Sequence, residues 1–467
     1  MGNSPHNAAS NQASHHPAAA SAERLVKVAV SPAAALAKVA VSPAAALAKV
    51  AVSPAAPLAK VSGPNSDAEK LAPKVDDHLH SEYMQIAMGP SHPATHGTMQ
   101  MLLTLDGETV IDADVKIGYL HRGFEKMAEV MTYNQVIPYT DRLNYVSPLC
   151  NNVGWVLAVE KALGIDVPRR CKWIRMIVCE LSRMSDHLTS IGAGALELGG
   201  FTPFLYCIQA REEVWDVTEE ITGARLTTSY TRVGGLRHDL PEGFAERYAG
   251  MKAYILKLLK DADALLTRNR IFYDRMAGVG VIDADTAVSL GFTGVCLRST
   301  GVDYDVRTYA PYLLYKEVDF DVPVGAKGDN YDRYLCRVAE IHQALRIIDQ
   351  CIEKIEPGPV NVDDWTVVLP PKEAVYNTIE GMIAHFKIIM EGVKVPPGEV
   401  YGYIEGGNGE LGYYIVSDGS GRPWRVKVRP PCFAVMQGLR QMIVGGNLAD
   451  IVPTFDTLNM IGGEIDR

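Results

Sequence analysis

Two histidines stand four residues apart in Gly89-Pro-Ser-His92-Pro-Ala-Thr-His96-Gly97, a stretch punctuated by Gly89, Pro90, Pro93 and Gly97. Glycine and proline at such intervals impose a tight turn, and loops of this kind commonly carry function. An imidazole held there can exchange a proton near neutral pH, or can serve only as a hydrogen-bonding residue of the turn. Two further pairs, Asp186-His187 and His238-Asp239, set an acid beside an imidazole. Neighbours in sequence point different ways on a helix or turn, so neither pair is a ready dyad, and surface or capping roles are expected for both. The eight cysteines form no C-x-x-C pair, and most sit in apolar text such as Met176-Ile-Val-Cys179. They read as reduced, buried small hydrophobes and are poor material for a zinc or iron–sulfur site within this chain.

The elements that position these residues are legible in outline. Met99–Leu105 and Val110–Ile117 flank Asp106-Gly107-Glu108, a strand–turn–strand signal directly after the histidine loop. Ile174, Ile177, Leu181, Met184, Leu188, Ile191 and Ala195 step by three and four, the stripe of a long buried helix that Gly199-Gly200 and Pro203 should end. Helical patterns recur over 153–164, 203–222, 242–267, 334–356 and 372–391, and short strands with Gly and Pro turns return over 395–430. The expected class is mainly α with small β elements at both ends (α+β).

Residues 27–37, 38–48 and 49–59 repeat one eleven-residue unit, Lys-Val-Ala-Val-Ser-Pro-Ala-Ala-Ala-Leu-Ala, with Pro57 the sole change. Ser-Pro interrupts a helix in every unit and the apolar groups are too small for a core, so residues 1–75 read as a low-complexity, disordered tail. A mitochondrial transit peptide is the functional alternative; the first 22 residues lack acids, but arginine is scarce. The folded domain is placed at 76–467. Residues 1–65 carry five basic side chains against Glu23, so of the chain's net −10 the remainder holds −14, which argues against nucleic acid as a partner. No uninterrupted apolar run of membrane-spanning length occurs in the chain.

Several stretches together carry a family likeness. They are the histidine loop, Gly118-Tyr-Leu-His-Arg-Gly-Phe-Glu-Lys126, Tyr139-Thr-Asp-Arg-Leu-Asn-Tyr145, Gly223-Ala-Arg225, Arg232-Val-Gly-Gly235, Phe320-Asp-Val-Pro-Val-Gly325, Gly328-Asp-Asn-Tyr-Asp-Arg333, Val416-Ser-Asp-Gly419 and Gly463-Glu-Ile-Asp-Arg467. From about residue 83 to its end the chain resembles the 49 kDa, or D-type, subunit of proton-pumping NADH:quinone oxidoreductase, respiratory complex I. The resemblance implies a helical bundle like the nickel–iron hydrogenase large subunit, with N-terminal and C-terminal β segments. Those hydrogenases hold nickel with two cysteine pairs. Here only Cys150 stands near the first position and no thiol near the last, so the hydrogenase reaction is not expected.

The resemblance also implies that a quinone headgroup enters the old nickel cavity, facing a terminal iron–sulfur cluster on a neighbouring small subunit. His96 and Tyr145 match the headgroup ligands; reduction develops charge on the quinone oxygens, which donors placed there stabilise. Read without the family, Tyr145 is a core aromatic. His92, ahead of Pro93, is expected to shape the loop more than to meet quinone. Glu197 stands where most relatives carry an aspartate thought to return the proton of the histidine matching His96, so its arm is one methylene longer. Arg122 and Arg142 match arginines near the cluster, where fixed positive charge raises its potential; surface ion pairs are the alternative. Thr227 replaces a histidine common at that position and cannot titrate, so a weaker pH dependence of the cluster potential is expected.

The resulting expectation is a quinone-site subunit, inactive alone, that binds no cofactor by itself. Its electrons come from NADH through FMN and iron–sulfur clusters on partner subunits, and its partners include the cluster-bearing small subunit, a 30 kDa-type subunit and the membrane arm. It would be peripheral, on the cytoplasmic face of a bacterial membrane, with the mitochondrial matrix side as the alternative. The rivals are the same protein in a complex fed by a ferredoxin-type donor, and a non-catalytic scaffold.

Overall fold

The computed structural model describes residues 83–467; the repeats and the whole 1–75 tail lie outside them. The described chain begins with an antiparallel meander of β1 (Met84–Met88), β2 (Gln100–Asp106) and β3 (Thr109–Lys116). The expected hairpin is β2–β3, turning at Gly107 with φ 59°, and β1 adds a strand that the sequence pattern did not announce. Along β2 the alternate residues Met101, Leu103 and Leu105 are fully buried, the period-2 signature of a half-buried strand.

Two short helices follow, α1 (Phe124–Val130) and α2 (Tyr133–Thr140), then α3 (Pro148–Leu163) and the long α4 (Arg169–Glu197). The apolar stripe of α4 is buried as expected, and Gly199-Gly200 end the helix. Pro203 does not help to end it; it lies in the first turn of α5 (Phe201–Thr222), where a missing N–H is harmless. The two-stranded β4 (Thr231–Arg232) and β5 (Gly235–Leu236) precede α6 (Phe244–Leu266), α7 (Arg270–Met276) and α8 (Asn330–Lys354). Helices α4, α5, α6 and α8 share the largest core, built from side chains such as Ile177, Val214, Met251 and Ile348.

The helix expected over 372–391 is broken. Thr378 leaves the helix after Asn377 and caps α9 (Ile379–Glu391) by accepting from Gly381 N at 3.0 Å. A second meander, β6 (Gly398–Gly406), β7 (Gly409–Ser417) and β8 (Arg425–Arg429), packs on α3. The β segment is not the end of the fold. Three helices come after it, α10 (Pro431–Ile443), α11 (Ile451–Leu458) and α12 (Gly462–Asp466), and α10 covers the buried face of the first meander. The class is therefore mainly α with small antiparallel sheets. All eight cysteines are free and buried, as their apolar surroundings suggested.

Candidate functional site

The histidine loop links β1 to β2. Gly89 holds φ 84°, and a Cβ there would lie 2.6 Å from the Met99 carbonyl, so only glycine lets the loop leave the sheet at this point. Pro93–Thr95 form one 3₁₀ turn. His92 caps it: its Nδ1 accepts from Ala94 N at 3.2 Å, which turns the ring toward the loop's own backbone. His96 closes the turn in a left-handed conformation at φ 52° and is exposed. Its imidazole stands free among the described residues, on a backbone that non-glycine residues seldom adopt.

Tyr145 lies between α2 and α3. The Asn144 carboxamide oxygen accepts from Val146 N and Ser147 N, both at 3.2 Å, and this local turn fixes the tyrosine before Pro148 starts α3. Its ring is half-buried against the core of the first meander, and its hydroxyl has no hydrogen-bond partner among the described residues. Burial first, then the nearby Cys432 and Asp186, push the phenol above its ordinary range, with Arg122 acting in the opposite direction. Tyr145 is thus held in its protonated, donating form.

The C-terminus ties these pieces together. A Cβ on Gly462 would sit 2.5 Å from the Thr98 methyl, and one on Gly463 2.4 Å from the Arg142 carbonyl and 3.0 Å from Arg122 Nη2. The two glycines let α12 wedge between the end of the histidine loop and the Arg142–Tyr145 segment. Thr98 Oγ1 also reaches Met460 Sδ at 3.7 Å. The Asp466 carboxylate accepts from Gly118 N at 2.9 Å and Leu120 N at 2.7 Å, and His121 Nδ1 donates to the Asp466 carbonyl at 2.6 Å.

Arg122 and Arg142 are exposed neighbours: Arg122 donates to the Arg142 carbonyl, and Arg142 to that of Pro138. Partial burial and the charge of Arg142 lower the pKa of Arg122. Next to them Asp141 is buried and pushed up to about 6 by burial, although Ser229 N and Oγ donate to it at 3.1 and 2.6 Å. That contact docks the loop carrying the exposed Thr227 beside the Arg142 segment. Glu197 is the last residue of α4 and is exposed.

Two features escaped sequence reasoning. The first is the pair Asp186-His187, expected at a surface or cap but fully buried on α4. Asp186 accepts from Asn144 Nδ2 and Ser147 Oγ at 3.0 Å and from Asn459 Nδ2 at 2.7 Å, while His187 Nε2 meets Glu340 Oε2 at 2.7 Å. The two residues do point apart, but both point inward because α4 is buried on nearly every side. From Asp186 the network runs through Asn459 and Asn408 to Glu464 and Cys432, whose Sγ donates to Glu464 Oε2 at 2.8 Å. Burial pushes Glu464 up to about 7. Cys432 thus arrives beside the C-terminal segment through folding, although no thiol lies near it in sequence. Among the described residues no cluster of three or more His, Cys, Asp or Glu side chains is placed to hold a metal ion. The second is Asp456, the single charged residue of α11, whose other residues are apolar or threonine; it is buried. A lone acid in a helix with no other charged residue is the signal that could have found it.

A groove of about 290 Å³ between β3 and α10 is lined by residues such as Val115, Phe433 and Arg440 and includes none of these groups. Among the described residues no helix is long and apolar enough to cross a membrane.

Residues 197–467 match the family described as respiratory-chain NADH dehydrogenase, 49 Kd subunit. The chain is 59% identical over 390 residues to the first D-type subunit of NADH-quinone oxidoreductase of Sorangium cellulosum, covering 83% of this chain and 96% of that protein. It is 53% identical to the D-type subunit of NADH-quinone oxidoreductase of Myxococcus xanthus, covering 86% and 97% of the two chains. To the second D-type subunit of an Anaeromyxobacter species it is 51% identical, covering 84% and 91%.

Proposed function

Because the chain belongs to the 49 kDa subunit family of respiratory-chain NADH dehydrogenase, and so is a subunit of an NADH-quinone oxidoreductase, we propose that it supplies the pocket where quinone is reduced and protonated. The observation that carries this reading is the wedge of α12, which joins the His96 loop and the Tyr145 segment in one region. There a phenol without a partner among the described residues and an exposed imidazole are both available to a headgroup. In the mechanism we infer, Tyr145 donates a hydrogen bond to one headgroup oxygen and stabilises the charge that reduction develops on it. His96 passes a proton to the reduced oxygen and Glu197 replenishes it. Arg122 and Arg142 face the neighbouring subunit's iron–sulfur cluster, from which the electrons arrive. His92 holds the loop.

The partners in this reading are the cluster-bearing small subunit, a 30 kDa-type subunit and the membrane arm. The exposed apolar side of α9, with Ile379, Met382, Phe386 and Met390 more than half exposed, supports docking against another subunit. Bacterial relatives with these names support a peripheral place on the cytoplasmic face of the cell membrane. The test is NADH:quinone reductase activity of membranes carrying His96→Ala, with assembly confirmed and an artificial acceptor assayed alongside. The expected result is a loss of quinone reduction of about 100-fold, within the range for a positioned acid–base group, with the artificial-acceptor rate kept. Full quinone reduction by the assembled variant would leave only a scaffold role.

A further inference from the structure

Asp456 is 7% exposed, and its Oδ2 has no hydrogen-bond partner among the described residues. A carboxyl buried in this way is tolerated far better neutral than charged. Its helix also touches the elements of the site. Helix α11 packs against the 3₁₀ turn between His92 and His96 and against the last turns of α4. A Cβ on Gly194 would lie 3.9 Å from the Asp456 Cβ. Glu197, three residues beyond Gly194, shares that face of α4 and so extends beside Asp456.

We propose that Asp456 pairs with Glu197 and acts through it as the proton-holding residue behind the quinone pocket. The proposal rests on the quinone-site reading above. The O–H bond of Asp456 breaks as its proton moves to the Glu197 carboxylate, and Glu197 passes a proton to His96, which has given its own to the reduced headgroup. Asp456, left as a carboxylate, recovers a proton from solvent through the exposed Glu197. The electrons are those the enzyme takes from NADH. Two carboxyl groups this close resist ionising together, so the pair keeps a proton where a single exposed acid would lose it.

The surroundings leave Glu197 as the charged group that acts on Asp456. From α8, Arg333 donates to Thr457 at 3.2 Å and Arg337 lines a small cavity with Thr457 and Gly194, one residue round the helix. From α7, Arg275 pairs with Asp450 at the start of α11, and from α10, Arg440 reaches away to Asp112. The 3₁₀ turn brings His92 and His96. Burial first, and then Glu197, push Asp456 up to about 8. Its proton is therefore present at neutral pH and lost as pH rises through about 8.

The test is the pH profile of NADH:quinone reduction in assembled enzyme. Asp456→Asn keeps shape and removes the proton; quinone reduction at neutral pH should fall by about 10- to 100-fold, toward the lower end of what a positioned acid contributes. The fall of activity above pH 8 should vanish with it, while the artificial-acceptor rate is kept. Glu197→Gln removes the carboxylate through which Asp456 acts, so it too should slow quinone reduction and lose the alkaline limb. This second variant carries the test if Asp456→Asn does not assemble. A normal rate and an unchanged alkaline limb in Asp456→Asn, or a retained alkaline limb in Glu197→Gln, overturns the proposal. Tyr145→Phe, assayed in parallel, separates the two levels: if it retains full quinone reduction, the pocket reading fails whatever Asp456 does.

Discussion

At the residue scale, the site depends on which polar atoms the fold engages and which it leaves available. His92 and His96 have the same chemistry and lie in one loop, yet one ring caps a backbone turn and the other is exposed. That division was legible in part, since His92 precedes Pro93 and a residue there is held extended. Asp456 was not legible as a partner of Glu197, because nothing local relates residues 197 and 456. Thr227 gives a separate prediction at this scale. It is exposed in the loop that Asp141 docks beside Arg142. On the proposed placement of the partner's cluster, Thr227→His should add a titrating group beside it and steepen the fall of its midpoint potential with pH; in the parent enzyme a shallow slope is expected. A redox titration over pH 6–8 measures this, and a parent slope near one proton per electron would contradict it.

At the element scale, α4 is the frame of the molecule. Its apolar period was readable, but the period does not say what happens to the charged residues between the stripe positions. They too are buried, because α8 and the β6–β7 turn close over the sides that a surface helix would leave wet. Arg175 meets Glu160 through two bonds of 2.7 Å, with both side chains inaccessible or nearly so. Arg183 donates to the carbonyls of Gly406 and Glu405 at 2.8 and 2.7 Å, fastening the β6–β7 turn to the helix. Removing one member of a buried pair strands the other's charge, so Arg175→Met should destabilise the protein by about 3–5 kcal/mol. Replacing Glu160 by Leu in the same chain should recover most of that. Thermal unfolding of the assembled enzyme reads both, and equal losses in the single and double variants would show that the pair is not the cause.

At the scale of the whole molecule, the site exists because the last six residues return to segments more than three hundred positions earlier. Fold class and the long elements could be read from periodicity, since each rests on neighbours along the chain. The closure could not. Only the folded chain places Gly462 and Gly463 where any side chain would collide with Thr98 or the Arg142 carbonyl. Near Tyr145, Cys432 and Asp186 raise the phenol and Arg122 acts against them, and Cys432 is itself held by Glu464 of the closing segment. Whether the quinone pocket lies here is decided by quinone reduction in membranes carrying Tyr145→Phe, with assembly confirmed and an artificial acceptor assayed beside it. Loss of one donor to the developing charge should lower quinone reduction by about 100-fold while the artificial acceptor is still reduced. Unimpaired reduction of both would make Tyr145 a core residue and remove the pocket from this place in the fold.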